Sequence, residues 1–235
     1  MTNPLTPLLT RRSTSVRDMR APAPNDVELE QVLTAATRVP DHGKLCPWRI
    51  VVLRGEGALR LGAIAADVFA KQNSEATEAQ IAAEHTRFTR APLCLAVLST
   101  PVLGTKPVWE QELSAGAVCM NILHAAHALG FGGKWLTEWV AYDDAILAAL
   151  LNASPTGEAT RLSARSELSR SGEGTVTSES PSLTMPSPNP LPRGEGTPRI
   201  AGFIYLGTKA VETADRERPN LTDVVGHIHN CHPVE

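Results

Sequence analysis

Four groups of residues in this sequence have side chains whose types and spacing could carry chemistry. The first, Arg11-Arg12-Ser13-Thr14-Ser15, sets two guanidiniums beside hydroxyls. Forked N–H donors match phosphate oxygens, and a neighbouring hydroxyl adds a further contact. The plainer reading is a basic pair that complements a helix dipole. The second, Arg38-Val39-Pro40-Asp41-His42-Gly43-Lys44-Leu45-Cys46-Pro47-Trp48, crowds cationic and imidazole groups into what reads as a helix-to-strand loop. Such loops on rigid elements are where ligands bind; the plainer reading pairs Asp41 with Arg38 or Lys44. His42 could serve as a general base, but no Ser or Cys nucleophile is marked beside it.

The third group, Gly130-Phe131-Gly132-Gly133-Lys134-Trp135-Leu136-Thr137, lacks the GxGxxG spacing and follows a helix instead of preceding one, which excludes a Rossmann fingerprint. Its glycines would let a flat ligand approach the backbone, or simply make a turn. The fourth, His227-Ile228-His229-Asn230-Cys231-His232, has residue types suited to zinc or nickel, and equally reads as a frayed terminus with incidental histidines. No metal site is assigned to it.

The elements that must position these groups follow from pattern. Thr6 to Leu9 reads as a short helix ending at the Arg11-Arg12 turn. Asn25 is an N-cap candidate ahead of Leu29, Val32, Leu33 and Ala36 at helical spacing, and Pro40 predicts that this helix stops near Val39. Ile50–Leu53 and Leu93–Leu98 are short apolar runs expected to be buried strands, and Gly133–Val140 and Ile200–Leu206 are two more strand candidates. Leu113–Leu129 is almost uncharged, so a helix there is buried nearly all round, in the core or at a subunit interface, with Gly130 as its C-cap. A further helix is expected over Tyr142–Leu151. Helices and strands in this order predict an α+β layout.

Composition bounds the rest. The 235 residues carry 22 basic and 25 acidic side chains, a net of −3 that argues against a nucleic-acid surface. No apolar run reaches the length of a membrane span, and Met1–Arg20 does not read as a signal peptide, so a cytoplasmic protein is expected. Cys46, Cys94, Cys119 and Cys231 are far apart, which suggests neither disulfide framework nor zinc ribbon. Residues 152–198 hold no aromatic residue and seven of the 18 prolines. Such a stretch cannot bury enough apolar area to offset chain ordering. It is expected to be a disordered insertion in a single domain formed by residues 1–151 and 199–235.

Taken in order, the first three groups resemble the nitroreductase family of FMN-dependent oxidoreductases, in its short bacterial NAD(P)H form. Trp109-Glu110-Gln111-Glu112-Leu113-Ser114-Ala115-Gly116 and Gly202-Phe203-Ile204-Tyr205-Leu206-Gly207-Thr208 extend the match. The resemblance implies a central, mostly antiparallel sheet flanked by helices, in an intertwined homodimer. It implies bound FMN, NADH or NADPH as donor, and ping-pong transfer through flavin N5 to nitroaromatics, quinones or similar small electrophiles, with no catalytic side chain of the protein's own. By similarity, Arg11, Arg12 and Ser13 hold the phosphate and ribityl end, Arg38 and His42 contact the flavin, and Trp135, Leu136 and Thr137 line its ring. Arg218 reaches the phosphate, and Ala125, Ala126, His127, Ala128, Leu129 and Gly130 take the nicotinamide dinucleotide. The alternative under the same fold is a flavin-binding protein with a specialised dehydrogenase role or a non-catalytic, partner-binding one.

Overall fold

The computed structural model describes residues 3–104, 106–153 and 196–226. In chain order the elements are α1 (Thr6–Thr10), β1 (Met19–Arg20), α2 (Asp26–Ala36), β2 (Trp48–Leu53), α3 (Gly55–Gln72), α4 (Glu78–His85), β3 (Leu93–Ser99), α5 (Val108–Ala128), β4 (Gly132–Leu136), α6 (Asp144–Leu151), β5 (Arg199–Lys209) and α7 (Leu221–Val224). Strand β5 is the hub. It pairs antiparallel with β3, which pairs antiparallel with β2, while β4 and β1 share its other edge.

Both faces of this sheet are covered. Cys94, Ala96 and Leu98 of β3 join Phe203 and Tyr205 of β5 against α3 and α6. The alternate residues Leu93, Leu95 and Val97 join Ile204 and Leu206 against α2 and α5. A strand buried on both sides reads as a continuous apolar run, and each large aliphatic side chain so buried contributes about 1.5–3 kcal/mol. Between Val97 and Leu98 the register with β5 slips by one residue, from Gly202 to Ile200. This bulge inverts the alternation of β5, so Ile200 and Phe203 face one layer while Ala201 and Ile204 face the other.

The expected α+β architecture is observed, with differences at several boundaries. Helix α2 has the capping box that Asn25 and Glu28 form with each other, but ends at Ala36 instead of near Val39. Helix α5 begins five residues before the apolar stretch, at Val108, and exposes Trp109 and Leu113 on its outer side. The strand expected over Gly133–Val140 stops at Leu136. Glu138 adopts a φ of 51°, which no strand tolerates, and the chain continues as a 3-10 turn at Trp139–Ala141. Glu138 is held there by Arg87 and Arg90 from the segment after α4. Helices α3 and α4 lie between the two strands read from the sequence and were not individually expected.

Ser99 pairs with both Trp48 and Arg199, so β2 and β5 begin at the same end of the sheet. Arg49 of β2 donates to the carbonyls of Leu151, at 2.7 Å, and Ala153. The two ends of the expected insertion, at Ala153 and Gly196, therefore both lie at that end. The insertion itself, like the His227–His232 cluster, lies outside the described residues. Among those described, no helix is long and apolar enough to cross a membrane.

Candidate functional site

Helix α5 is the rail along which the expected site residues are set. On one side it ties down the loop after α2. Glu110 accepts a hydrogen bond from His42 Nδ1 at 2.7 Å, Ser114 Oγ donates to Pro40 O at 2.8 Å, and Asn121 Nδ2 donates to the carbonyls of Ala35 and Arg38, both at 3.3 Å. Spaced at about 100° per residue, Glu110, Ser114 and Asn121 share one face of the helix. Within the loop, Asp41 pairs with neither Arg38 nor Lys44. Its carboxylate accepts instead from the backbone N–H groups of Leu45 (3.0 Å) and Cys46 (2.9 Å). That contact holds a backbone with positive φ at Gly43, Lys44 and Cys46, strain of a kind that collects at functional sites. Arg38 is exposed and carries no ion pair among the described residues.

On the adjacent face, Leu113, Gly116, Met120, His124 and His127 form an open stripe. Trp135 of β4 borders it, with its indole tip 4.0 Å from where a Cβ on Gly116 would stand. The indole donates from Nε1 to Ala201 O at 3.0 Å and lies directly over Gly202, where any side chain would collide with it. Leu136 points to the opposite face and packs against the α3/α6 layer, so only its backbone borders the stripe. Thr137 follows it as the chain turns toward Glu138.

At the far end of the stripe the segment Arg11–Ser15 runs extended beside β4, with a parallel bridge between Ser13 and Gly133 and a bond from Thr14 N to Gly133 O at 3.1 Å. Arg11 is half-buried. Its guanidinium pKa is lowered, first by burial and then by the charges of Arg218, Arg12 and Arg216. The four arginines therefore concentrate positive charge at one point. Arg11 Nη1 and His124 Nδ1 are buried there without a hydrogen-bond partner. His124 is held below the ordinary imidazole value by burial and by Arg11, and His127 by burial and then by Lys209, Arg11, His124 and Arg12. Arg12 is engaged differently. It donates from Nη1 to Leu9 O (3.2 Å) and Arg11 O (2.8 Å) and pairs with Asp215, which leaves Nε without a partner.

The structure thus brings Arg11, Arg12, Ser13 and Arg218 together with the end of α5, where Ala125–Gly130 lie. Ala126 is fully buried and Leu129 is exposed. It sets Arg38 and His42 on one flank of the stripe and Trp135–Thr137 on the other. Sequence reading missed Glu110 as the partner of His42, Arg216 beside Arg11, and His124, whose only signal was its place one turn before His127. Buried cations with unfilled donors at one end of an open, largely apolar floor suit a phosphorylated, planar ligand.

The model of the nitroreductase family matches residues 8–162. The chain belongs to the nitroreductase family. A Haemophilus influenzae protein named "Putative NAD(P)H nitroreductase" is 34% identical over 139 residues, covering 58% of this chain and 73% of that protein. The Escherichia coli K12 protein named "Putative NAD(P)H nitroreductase YdjA" is 39% identical over 135 residues, covering 54% and 68%. Among solved structures, the nitroreductase-like family protein of Bacillus cereus superposes with a TM-score of 0.64 at 17% identity, over 98% of each chain. A nitroreductase of Bacteroides fragilis with bound FMN gives 0.59 at 18% identity, over 97% of this chain and all of that one. At those identities the structures establish a shared fold.

Proposed function

We propose that this nitroreductase-family chain is an FMN-dependent oxidoreductase. It draws hydride from NADH or NADPH and passes reducing equivalents to nitroaromatics, quinones or similar planar electrophiles, in two half-reactions at one site. The observation that carries this reading is the pair of buried, unpartnered nitrogens, Arg11 Nη1 and His124 Nδ1, among Arg12, Arg216 and Arg218. Burying such groups without an acceptor is costly, and a phosphate dianion supplies one. The residues present therefore fit FMN.

Bound FMN would supply the redox chemistry, as acceptor of hydride from the nicotinamide and donor to the second substrate. Arg11, Ser13 and Arg218 would hold its phosphate, and Arg12, turned to the other side of the segment, would add charge from the next position. Arg38 and His42 would face the polar edge of the ring. Glu110 fixes the His42 imidazole through Nδ1, so Nε2 is the atom left to meet a ligand. Trp135, the backbone of Leu136, and Thr137 would flank the ring, and the apolar stripe of α5 would exclude water from one side. Ala125–Gly130 lie where the nicotinamide dinucleotide would enter. The exposed Leu5 just before α1, Leu8 and Leu9 within it, Trp109 and Leu113 of α5, and Leu221 and Val224 of α7 support a homodimer in which a second copy covers them.

The test is spectroscopic. The purified protein should show a flavin absorption band in the visible, NADH or NADPH added without oxygen should bleach it, and a quinone should restore it. Purified, folded protein that neither carries nor takes up FMN would overturn the proposal.

A further inference from the structure

We infer that a second cleft, on the side of the Arg11–Ser15 segment away from Arg11 and Ser13, is a binding site for the 2′-phosphate of an adenine dinucleotide, so that this chain selects NADPH over NADH. The inference rests on the oxidoreductase reading above and names its donor. In an extended segment successive side chains point to opposite sides. Arg11 faces Arg216, Arg218 and His124, whereas Thr10, Arg12 and Thr14 line a separate cleft with His127, Lys209 and Glu212.

That cleft holds donors that the chain itself leaves unfilled. Thr14 is 1% exposed and its hydroxyl has no partner; Arg12 Nε is buried and equally unfilled. Thr14 Oγ1 and the Lys209 side chain converge so closely over Gly132 that a Cβ there would lie 2.8 Å from each. Thr10 Oγ1 donates to Thr6 O at 2.8 Å, so it can only accept from His127 Nε2, 3.1 Å away. Two carboxylates now stand in for an external anion: Glu212, 3.6 Å from Lys209 Nζ, and Asp215 on Arg12. Both belong to the exposed segment after β5, and surface ion pairs of this kind are weak enough for a dianion to displace. An arginine, a lysine and a buried hydroxyl suit a phosphomonoester. With the FMN monoester met on the Arg11 side, the monoester left in the reaction is the 2′-phosphate, which NADPH has and NADH lacks. The cleft includes His127, inside the segment placed where the dinucleotide enters.

Calorimetric titration of the FMN-loaded protein with 2′,5′-ADP and with 5′-AMP tests this. The parent should bind 2′,5′-ADP about tenfold or more tighter, the worth of one charge-assisted contact. Lys209→Gln should bring the two ligands to within about twofold of each other, with FMN content and NADH oxidation unchanged. Thr14→Val should weaken 2′,5′-ADP while leaving thermal stability equal or higher, because it removes an unfilled buried hydroxyl. Equal affinities in the parent would overturn the inference. So would a Lys209→Gln protein that loses FMN but keeps the preference, which would return Lys209 to the flavin phosphate. The titration also works on flavin-free protein, so a failure of the FMN reading would be seen separately.

Discussion

Arg11 and Arg12 are adjacent and chemically identical, yet the fold uses them differently. Arg12 gives donors to the chain's own carbonyls and to Asp215 and keeps Nε unfilled on the Thr14 side, while Arg11 keeps Nη1 unfilled on the side of His124. Arg11→Ala is accordingly expected to weaken FMN by about one to two orders of magnitude, at roughly 1.5–3 kcal/mol per charge-assisted bond, measured by flavin fluorescence titration. A second expectation concerns pH. His124 and His127 are held below the ordinary imidazole value by burial and by Arg11, Arg12 and Lys209. A group with a depressed folded pKa makes the unfolded chain the better proton acceptor, so these histidines should lower stability as pH falls below about 6.5. A phosphate dianion beside Arg11 favours protonation of His124, so FMN binding takes up protons. Affinity should rise as pH falls from about 8 to 6.5, before the phosphate's own proton, near pKa 6, opposes it. His124→Gln should flatten that slope; an equally steep slope in the variant would count against the assignment.

The end of β4 is set by residues remote in sequence. Glu138 lies among Arg87 and Arg90, and Glu84 pairs with Arg87. Burial, the largest influence on the Glu138 carboxyl, pushes its pKa up, but hydrogen bonds and charge from Arg90 and Arg87 outweigh it, and the value is lowered. Arg90 also donates to the Tyr205 hydroxyl at 3.2 Å, and burial drives the Tyr205 pKa up. Removing one member leaves the others buried and uncompensated. Glu84→Gln is expected to cost about 2–4 kcal/mol in denaturant unfolding. A loss under about 0.5 kcal/mol, the range of an ordinary surface change, would show that the cluster is not coupled. This cluster also explains what could be read in advance. The Asn25 cap, the apolar run of β3 and the charge-poor α5 are local signals, and each appeared close to where it was expected. The truncation of β4 at Leu136 depends on arginines about 50 positions away, and the His42–Glu110 pair joins residues 68 apart. No local pattern encodes such partners. The same holds for the two sides of the Arg11–Ser15 segment, which only its pairing with Gly133 defines.

At the scale of the molecule, the described chain leaves much of its apolar surface uncovered. Helix α1 buries none of its residues, and α5 shows Trp109 and Leu113 to solvent at about 60% exposure (63% and 60%). Sedimentation equilibrium at micromolar concentration should find a dimer, and replacing Leu8, Leu9 and Leu113 with Glu together should yield monomer and release FMN. A folded, FMN-loaded monomer from the parent protein would refute this. The proposed organisation, one domain interrupted by residues 152–198, rests on Ala153 and Gly196 lying at the same end of the sheet. Ala153 is tied to Arg49 of β2, and Gly196 leads into β5 two strands away. Neighbouring strands are about 4.8 Å apart, so β2 and β5 are about 10 Å apart, a separation that a short linker of a few residues spans. Such a junction behaves as a socket. Closure costs rise only with the logarithm of loop length, so the gap accepts a short linker, the native stretch or a foreign folded module at nearly equal cost to the body. A fluorescent reporter spliced there should leave flavin content intact, and the family architecture could carry it as a tag in mid-chain.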